Sequence, residues 1–253
     1  MFPDSGNTGG DDDGNLRTRA VVSNLYNRLN IAVYDAQGKR VKQVNQQAGD
    51  AAFGTAVVQV DPGRYQVVAV AHSSAGNPTM TDPTKIKFEN KDGFSDTFLY
   101  ATTVQVDEDE CEVNADLKRI VSLCRVALTD AIPDEVTLMQ FQYKGGSGAF
   151  NASTGMGSVK STQTVYFAVE PGKGPNVFDL YTFLHHEEDT IPLQVTAYDT
   201  DDHVICEREF DVPMRRCQIT TLSGPFFSGT DGAAISVVVG VHADWEGEET
   251  IYI

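Results

Sequence analysis

Long apolar runs are missing from this chain: no stretch approaches the ~18 consecutive apolar residues that carry a helix across a bilayer. A basic segment leading into an apolar one is missing from its start as well. The sequence as it stands therefore reads as a soluble chain with no spanning helix and no visible leader. Basic residues are scarce, with 19 Lys and Arg against 36 Asp and Glu for a formal charge of −17. A field of that sign repels phosphate backbones and anionic lipid, so neither nucleic acid nor a membrane surface is an expected partner. Cysteine is sparse, and Cys111, Cys124, Cys206 and Cys217 show neither C-x-x-C spacing nor a histidine at finger-like distance. A structural zinc site is not expected on those grounds. Cys206 and Cys217 either face each other across a hairpin centred near Asp211 and Val212 or are free core thiols, and the second reading is preferred. No long apolar pattern of period 3.6 runs through either half, so helices should be few and short.

What is present is strand-and-turn material. At 253 residues the chain has the length of two sandwich domains of roughly 100–150 residues each. Residues 1–20, with Gly6, Gly9, Gly10, Asp11, Asp12, Asp13 and Gly14, have almost nothing to bury and are expected to form a disordered acidic tether. A tether of this kind commonly follows a processed signal or a lipid-bearing cysteine.

From Leu25 the pattern turns to period two, with Leu29, Ile31 and Val33 on one face and Asn30, Ala32 and Tyr34 on the other. This predicts a half-buried strand that ends in a turn at Asp35-Ala36-Gln37-Gly38. Val57 to Val60 run into Asp61-Pro62-Gly63-Arg64 and out through Tyr65 to Ala71, which predicts a hairpin because Pro presets φ and Gly tolerates positive φ. Further strands are expected at 86–88 and 98–106. A domain boundary is placed near Asn114–Arg119, giving sandwiches over 21–116 and 117–253. The second half offers strands at 122–128, 135–143, 163–169, 178–183, 193–199, 204–210, 218–222 and 234–241, a spacing that indicates a sandwich or barrel. The fold class expected is all-β.

Catalytic patterns do not assemble. No G-x-S-x-G occurs, and the glycine-rich stretches Gly145–Gly148 and Gly155–Ser158 lie between strands without a helix to hold phosphate. His185-His186-Glu187-Glu188-Asp189 spreads adjacent ligands to opposite faces and reads as a solvated loop. Asp199-Thr200-Asp201-Asp202 lacks the glycine and terminal Glu of a calcium loop and reads as a hairpin turn. The expectation is a protein that is not an enzyme and takes no cofactor or metal. Exposed aromatics offer a second use, stacking on sugar rings. Tyr143, Tyr181 and the single Trp245 are candidates, alongside Tyr26 and Phe150, although most aromatics in sandwiches are core residues.

The C-terminal segment puts Ile235, Val237, Val239 and Val241 on one face, followed by an acidic stretch. A terminal strand with an apolar face lies over its own core or over a neighbour's, and in the second case it is a donor strand for β-augmentation.

Several short motifs, taken in order, resemble the fimbrillin superfamily of Bacteroides-type bacteria, and within it the fimbrial anchor and accessory subunits. They are Leu117-Lys118-Arg119-Ile120-Val121, Leu128-Thr129-Asp130-Ala131-Ile132-Pro133, Phe150-Asn151-Ala152-Ser153-Thr154-Gly155, Phe183-Leu184-His185, Phe210-Asp211-Val212-Pro213 and Gly224-Pro225-Phe226-Phe227-Ser228-Gly229. Asp61-Pro62-Gly63-Arg64-Tyr65 of the first half fits as well. The resemblance implies two tandem transthyretin-like, Greek-key β-sandwich domains. It also implies export as a lipoprotein, anchored through a lipid upstream of this sequence, to the outer membrane and cell surface. The implied role is to anchor, cap or build a fimbria in cell adhesion, with other fimbrial subunits or host and bacterial surface ligands as partners. In stalk members an Arg-specific protease removes an N-terminal strand, which makes Arg17 and Arg19 candidate processing sites. Polysaccharide binding at the cell surface is the alternative function.

Overall fold

The computed structural model describes residues 25–107, 111–170, 176–228, 236–240 and 247–252, the last two ranges by their backbone. Alternating apolar segments become strands, and the Gly, Pro, Asp and Asn clusters between them become turns. The strands are β1 (Arg28–Tyr34), β2 (Arg40–Gln47), β3 (Gly63–His72), β4 (Ile86–Lys87), β5 (Thr97–Val106), β6 (Lys118–Arg119), β7 (Ser122–Leu128) and β8 (Leu138–Lys144). They continue with β9 (Ala149–Phe150), β10 (Thr162–Ala168), β11 (Val177–Thr182), β12 (Glu188–Tyr198), β13 (Val204–Arg215), β14 (Gln218–Gly224), β15 (Ser236–Gly240) and β16 (Gly247–Tyr252). A 3-10 turn at Asn90–Asp92 is the helical element among them, so the all-β expectation is met.

The second half is a two-layer sandwich. One sheet runs β10-β8-β12-β13 and the other β11-β7-β14-β16-β15. Phe141, Val195, Ala197 and Val212 from the first meet Val126, Phe178, Leu180 and Leu222 from the second in one apolar core. Alternation along β8 sends Met139, Phe141 and Tyr143 inward and leaves Gln140 and Gln142 outward, as a sheet wet on one face requires.

The first half is built differently. Its strands form one sheet, β2-β1-β3-β5-β6. One face of that sheet, carrying Ala32, Tyr34, Val68, Val70 and Leu99, is covered by Met80, Ile86 and Phe88 and by Ile120, Val121, Phe150 and Phe183 from the second half. Tyr26, Leu29, Ala69, Ala71 and Phe98 line the other face, with Phe53 against them. β1 is therefore buried on both faces rather than half-buried, because it lies inside the sheet and both sides are capped. Its Asn30 is fully buried and is satisfied by a polar chain: Asn30 Nδ2 donates to Asn45 Oδ1 (2.7 Å) and to Asn77 Oδ1 (3.1 Å). Asn30 Oδ1 meets His72 Nε2 at 2.8 Å, while His72 Nδ1 accepts from the Ser74 N–H at 3.1 Å. That pattern fixes a neutral imidazole, and burial lowers the His72 pKa to about 4, with Arg28 acting in the same direction.

Several bonds cross the sequence position at which the two sandwiches were expected to divide. β4 pairs with β9, Ile86 opposite Phe150 and Lys87 opposite Ala149. The Phe88 N–H donates to the Gly148 carbonyl (2.9 Å) and the Ala152 N–H to that of Pro83 (2.8 Å). Arg119 makes two 2.7 Å bonds to the Asp96 carboxylate, and its guanidinium lies 4.8 Å from the centre of the Phe98 ring. Phe88, Phe150 and Phe183 form an aromatic cluster with centroids 4.9–6.5 Å apart. The glycine-rich loops serve this joint. A Cβ at Gly148 would come within 2.9 Å of the Phe94 ring of the first half, so glycine there lets the two halves approach.

Two turn expectations need correction. Val57 to Val60 form no strand: the segment is extended without ladder bonds, Val57 is 90% exposed, and β3 pairs instead with β1 and β5. Because β2 and β3 both run antiparallel to β1, residues 48–62 must carry the chain back from one end of the sheet to the other and cannot pair in place. The hairpin near Asp211 is also absent, since β13 runs unbroken from Val204 to Arg215. Among the described residues no cysteine forms a disulfide, and the Cys217 thiol donates to the Arg119 carbonyl at 3.0 Å.

Candidate assembly surface

Strand edges and chain termini are where a β-protein joins a neighbour, and the C-terminal strands are held in a particular way. β14 lies between β7 and β16 and runs parallel to both, Thr221 opposite Arg125 on one side and Thr250 on the other. β15 then closes the sheet antiparallel to β16, Val237 opposite Ile251 and Val239 opposite Glu249. β16 was not foreseen: Gly247-Glu248-Glu249-Thr250 is polar, and only Ile251 and Tyr252 hint at a strand. Val237 and Val239 of the expected assembly strand lie on β15, while Ile235, Val241, Trp245, Arg17 and Arg19 lie outside the described residues.

The segment that leads into these strands is clamped by Asp130. Its carboxylate accepts the backbone N–H groups of Phe226 (2.9 Å), Phe227 (2.7 Å) and Ser228 (2.8 Å), and the Ser228 hydroxyl (3.1 Å). Partial burial works against ionisation of Asp130, yet the N–H groups of Phe226, Ser228 and Phe227 outweigh it and hold the carboxyl below the usual range. The motif around Asp130 and the motif at Gly224–Ser228 are thus two ends of one contact, which explains why both occur. The Thr129 N–H adds a 3.0 Å bond to the Gly224 carbonyl.

Most long edges are guarded. β2 carries Arg40 and Lys42, and side-chain bonds link Arg40 to Gln43 and Gln43 to Asn45. β13 presents Glu207, Glu209 and Asp211 outward in a column, with Pro213 near its end. Charges and proline on an edge discourage stray pairing. β10 has neither.

The outer face of the sheet β10-β8-β12-β13 is polar and ordered in rows. Register places Thr164, Gln142, Gln194 and Glu209 in one line and Tyr166, Gln140, Thr196 and Glu207 in the next. An open trough of about 250 Å³ lies there, lined by Gln142, Lys144, Pro192, Gln194, Glu209 and Asp211 among others. Tyr26, Tyr143, Phe150 and Tyr181, four of the aromatic candidates named from sequence, do not lie on this face. Tyr143 is only 3% exposed, and its hydroxyl donates to the Tyr181 carbonyl at 2.8 Å, so it is a core residue. It shares the buried face of β8 with Met139 and Phe141. Tyr181 is half-buried against the aromatic joint.

The His185–Asp189 stretch is a turn in which Asp189 accepts the N–H groups of His185 and His186 at 3.0 and 3.1 Å. Asp199, Asp201 and His203 gather at the β12–β13 turn. The Asp199 carboxyl is held below the usual range mainly by the His203 N–H.

Residues 13–246 match the family of fimbrillin-A associated anchor proteins Mfa1 and Mfa2. The chain belongs to that family, and so to the cell-surface proteins of fimbriae and adhesion. Among solved structures it is similar to a candidate adhesin from Bacteroides ovatus, at 15% identity and a TM-score of 0.47 over 82% of this chain and 88% of that one. It is similar to a fimbrial assembly protein from Parabacteroides distasonis, at 15% identity and a TM-score of 0.42 over 89% and 91%. It is also similar to the fimbrial anchor protein Mfa2 from Porphyromonas gingivalis, at 15% identity and a TM-score of 0.41 over 72% and 73%. No curated protein sequence matches.

Proposed function

We infer that this chain is an accessory or anchor subunit of a surface fimbria, with a structural rather than a catalytic role in cell adhesion, and that it joins its neighbour by exchange of a β-strand. The observation that carries the reading is the family match over residues 13–246. The position of β16 supports the mechanism: the last strand fills the slot between β14 and β15 by parallel bonds alone on one side, so its departure leaves β14 as a ready acceptor edge. We extend the reading to a lipid anchor upstream, attachment at the outer membrane, processing at Arg17 or Arg19, and transthyretin-like architecture for 117–253.

A reversible lock tests strand exchange. Thr221→Cys with Thr250→Cys places two thiols on facing positions of β14 and β16. The oxidised chain is expected to lose incorporation into fimbriae and to regain it on reduction. Equal incorporation in both states sinks the exchange mechanism. Deleting residues 234–253 gives a second arm: a folded truncation with β14 open that takes up no partner strand counts equally against it.

Polysaccharide binding is the second reading, favoured by the amide-lined trough between β8, β12 and β13. Its rows of Gln, Thr and Glu offer donors and acceptors that match sugar hydroxyls. A glycan array probed with the wild-type chain and with a Gln142→Ala, Gln194→Ala variant decides it. Binding lost in the variant supports the trough, and no binding by either removes the reading.

A further inference from the structure

Two edge strands of the sandwich, one from each sheet, lie on the same flank: β10 and the strand that follows it, β11. Phe167 and Phe178 meet across them with ring centroids 5.2 Å apart. Val165, Phe167 and Val169 pack on the sandwich core yet remain only half-buried, while Tyr166 is 58% and Val177 45% exposed. The apolar interior therefore reaches solvent along this side.

β10 reads Thr-Gln-Thr-Val-Tyr-Phe-Ala, without a charge, a proline or a glycine. It pairs with β8 alone among the described strands. In a chain of net charge −17, a neutral seven-residue edge rich in β-branched and aromatic residues stands apart from the guarded edges β2 and β13.

We propose that this flank is a self-association surface, at which β10 of a second copy of the chain pairs antiparallel with β10 in a register centred on Val165. That register sets Val165 against its own counterpart, Thr164 against Tyr166 and Thr162 against Ala168. Aromatic and β-branched side chains face each other on the outer side, which is a favourable cross-strand combination. No like charges meet. Self-pairing of β13 about Glu209 would instead oppose Glu209 to Glu209 and Glu207 to Asp211. The two four-stranded sheets then join into one eight-stranded sheet, and the open apolar seam of each copy is continued by the other. Because the remaining surface of each copy is strongly acidic, repulsion between copies works against the contact, and the neutral strand is where it is least.

Sedimentation equilibrium of the whole chain at rising ionic strength tests this. Salt screens the repulsion without touching an uncharged interface, so the dimer fraction is expected to rise with salt. Thr164→Glu with Tyr166→Glu is expected to weaken dimerisation by at least about tenfold, from two lost cross-strand pairs and added repulsion. Thr164→Lys with Tyr166→Lys should weaken its own dimer likewise, and an equimolar mixture of the two variants should dimerise again. Both sites lie on the outer face, and thermal unfolding checks that each variant is folded. Glu207→Lys on β13 should leave the dimer unchanged. A monomer at every salt concentration, a dimer indifferent to the β10 variants, or a dimer lost on Glu207→Lys each overturns the proposal.

Discussion

Residues of the second half bury Phe141, Val195 and Leu222 between two sheets of their own, whereas the first half buries Val68, Val70 and Leu99 against a loop and against Phe150 and Phe183 of the other half. The difference teaches that the point where a fresh set of strands begins in the sequence need not be the point where one core ends. A single sheet cannot bury both of its faces unaided, so it borrows a layer. Here the borrowed layer is the aromatic cluster around β4 and β9, and Arg119 fastens it to Asp96.

The sharpest way to break the comparison is to separate the halves. A fragment of residues 117–253 should unfold cooperatively in urea, while a fragment of 25–116 should show no cooperative transition. Independent folding of the first fragment's partner would restore a self-sufficient domain there. Within the intact chain, Phe150→Ala should cost about 3–5 kcal/mol, since the ring is fully buried and its cavity is lined by residues of both halves. Chemical denaturation reads that loss.

Acid should act on the first half through His72. Its folded pKa, about 4, lies below the unfolded value near 6.5, so the unfolded chain binds the proton more readily. The stability it contributes is present above pH ~6.5 and falls by on the order of 2–3 kcal/mol as the pH drops toward 4. His72→Gln should flatten that slope in a series of denaturation curves. Asp130→Ala, which releases three backbone N–H groups ahead of the C-terminal strands, should cost about 2 kcal/mol. Its carboxyl is depressed, so the contribution is present above pH ~4 and disappears as the pH falls through the folded pKa. Hydrogen exchange of the Phe226–Ser228 amides would localise the effect. The smallest change expected is for Tyr166→Lys, within about 0.5 kcal/mol of monomer stability, because the ring contributes little to its own chain's core.

Much of the strand map was legible because period-two alternation is local. Ser122–Leu128 coincides with β7, and the turn at Asp35–Gly38 has Gly38 at φ +75° with its N–H bonded to the Asp35 carbonyl. β2 and β16 escaped because Arg40-Val41-Lys42-Gln43 and Gly247-Glu248-Glu249-Thr250 are polar on both sides, and a strand held mainly by its neighbours' backbone needs no apolar pattern. The hairpin at Asp61–Gly63 failed for the opposite reason. Its local signals were sound, but the antiparallel pairing of β1 with both β2 and β3 turned one arm into a crossover. Tyr143 was misplaced because parity along β8 says which residues share a face, not which face meets the core.

The sequence by itself determined the all-β class, the excess of acidic over basic residues, and the ordered motifs that mark the anchor-protein family. Only the tertiary structure decided that Asp130 closes on Phe226–Ser228 across almost a hundred residues, that the first sheet takes its second layer from the other half, and that β10 pairs with β8 alone among the described strands. Local pattern fixes the conformation of a segment because sterics and alternation act over a few residues. Which face a strand turns inward, and which edge stays unpaired, depends on where distant segments come to rest.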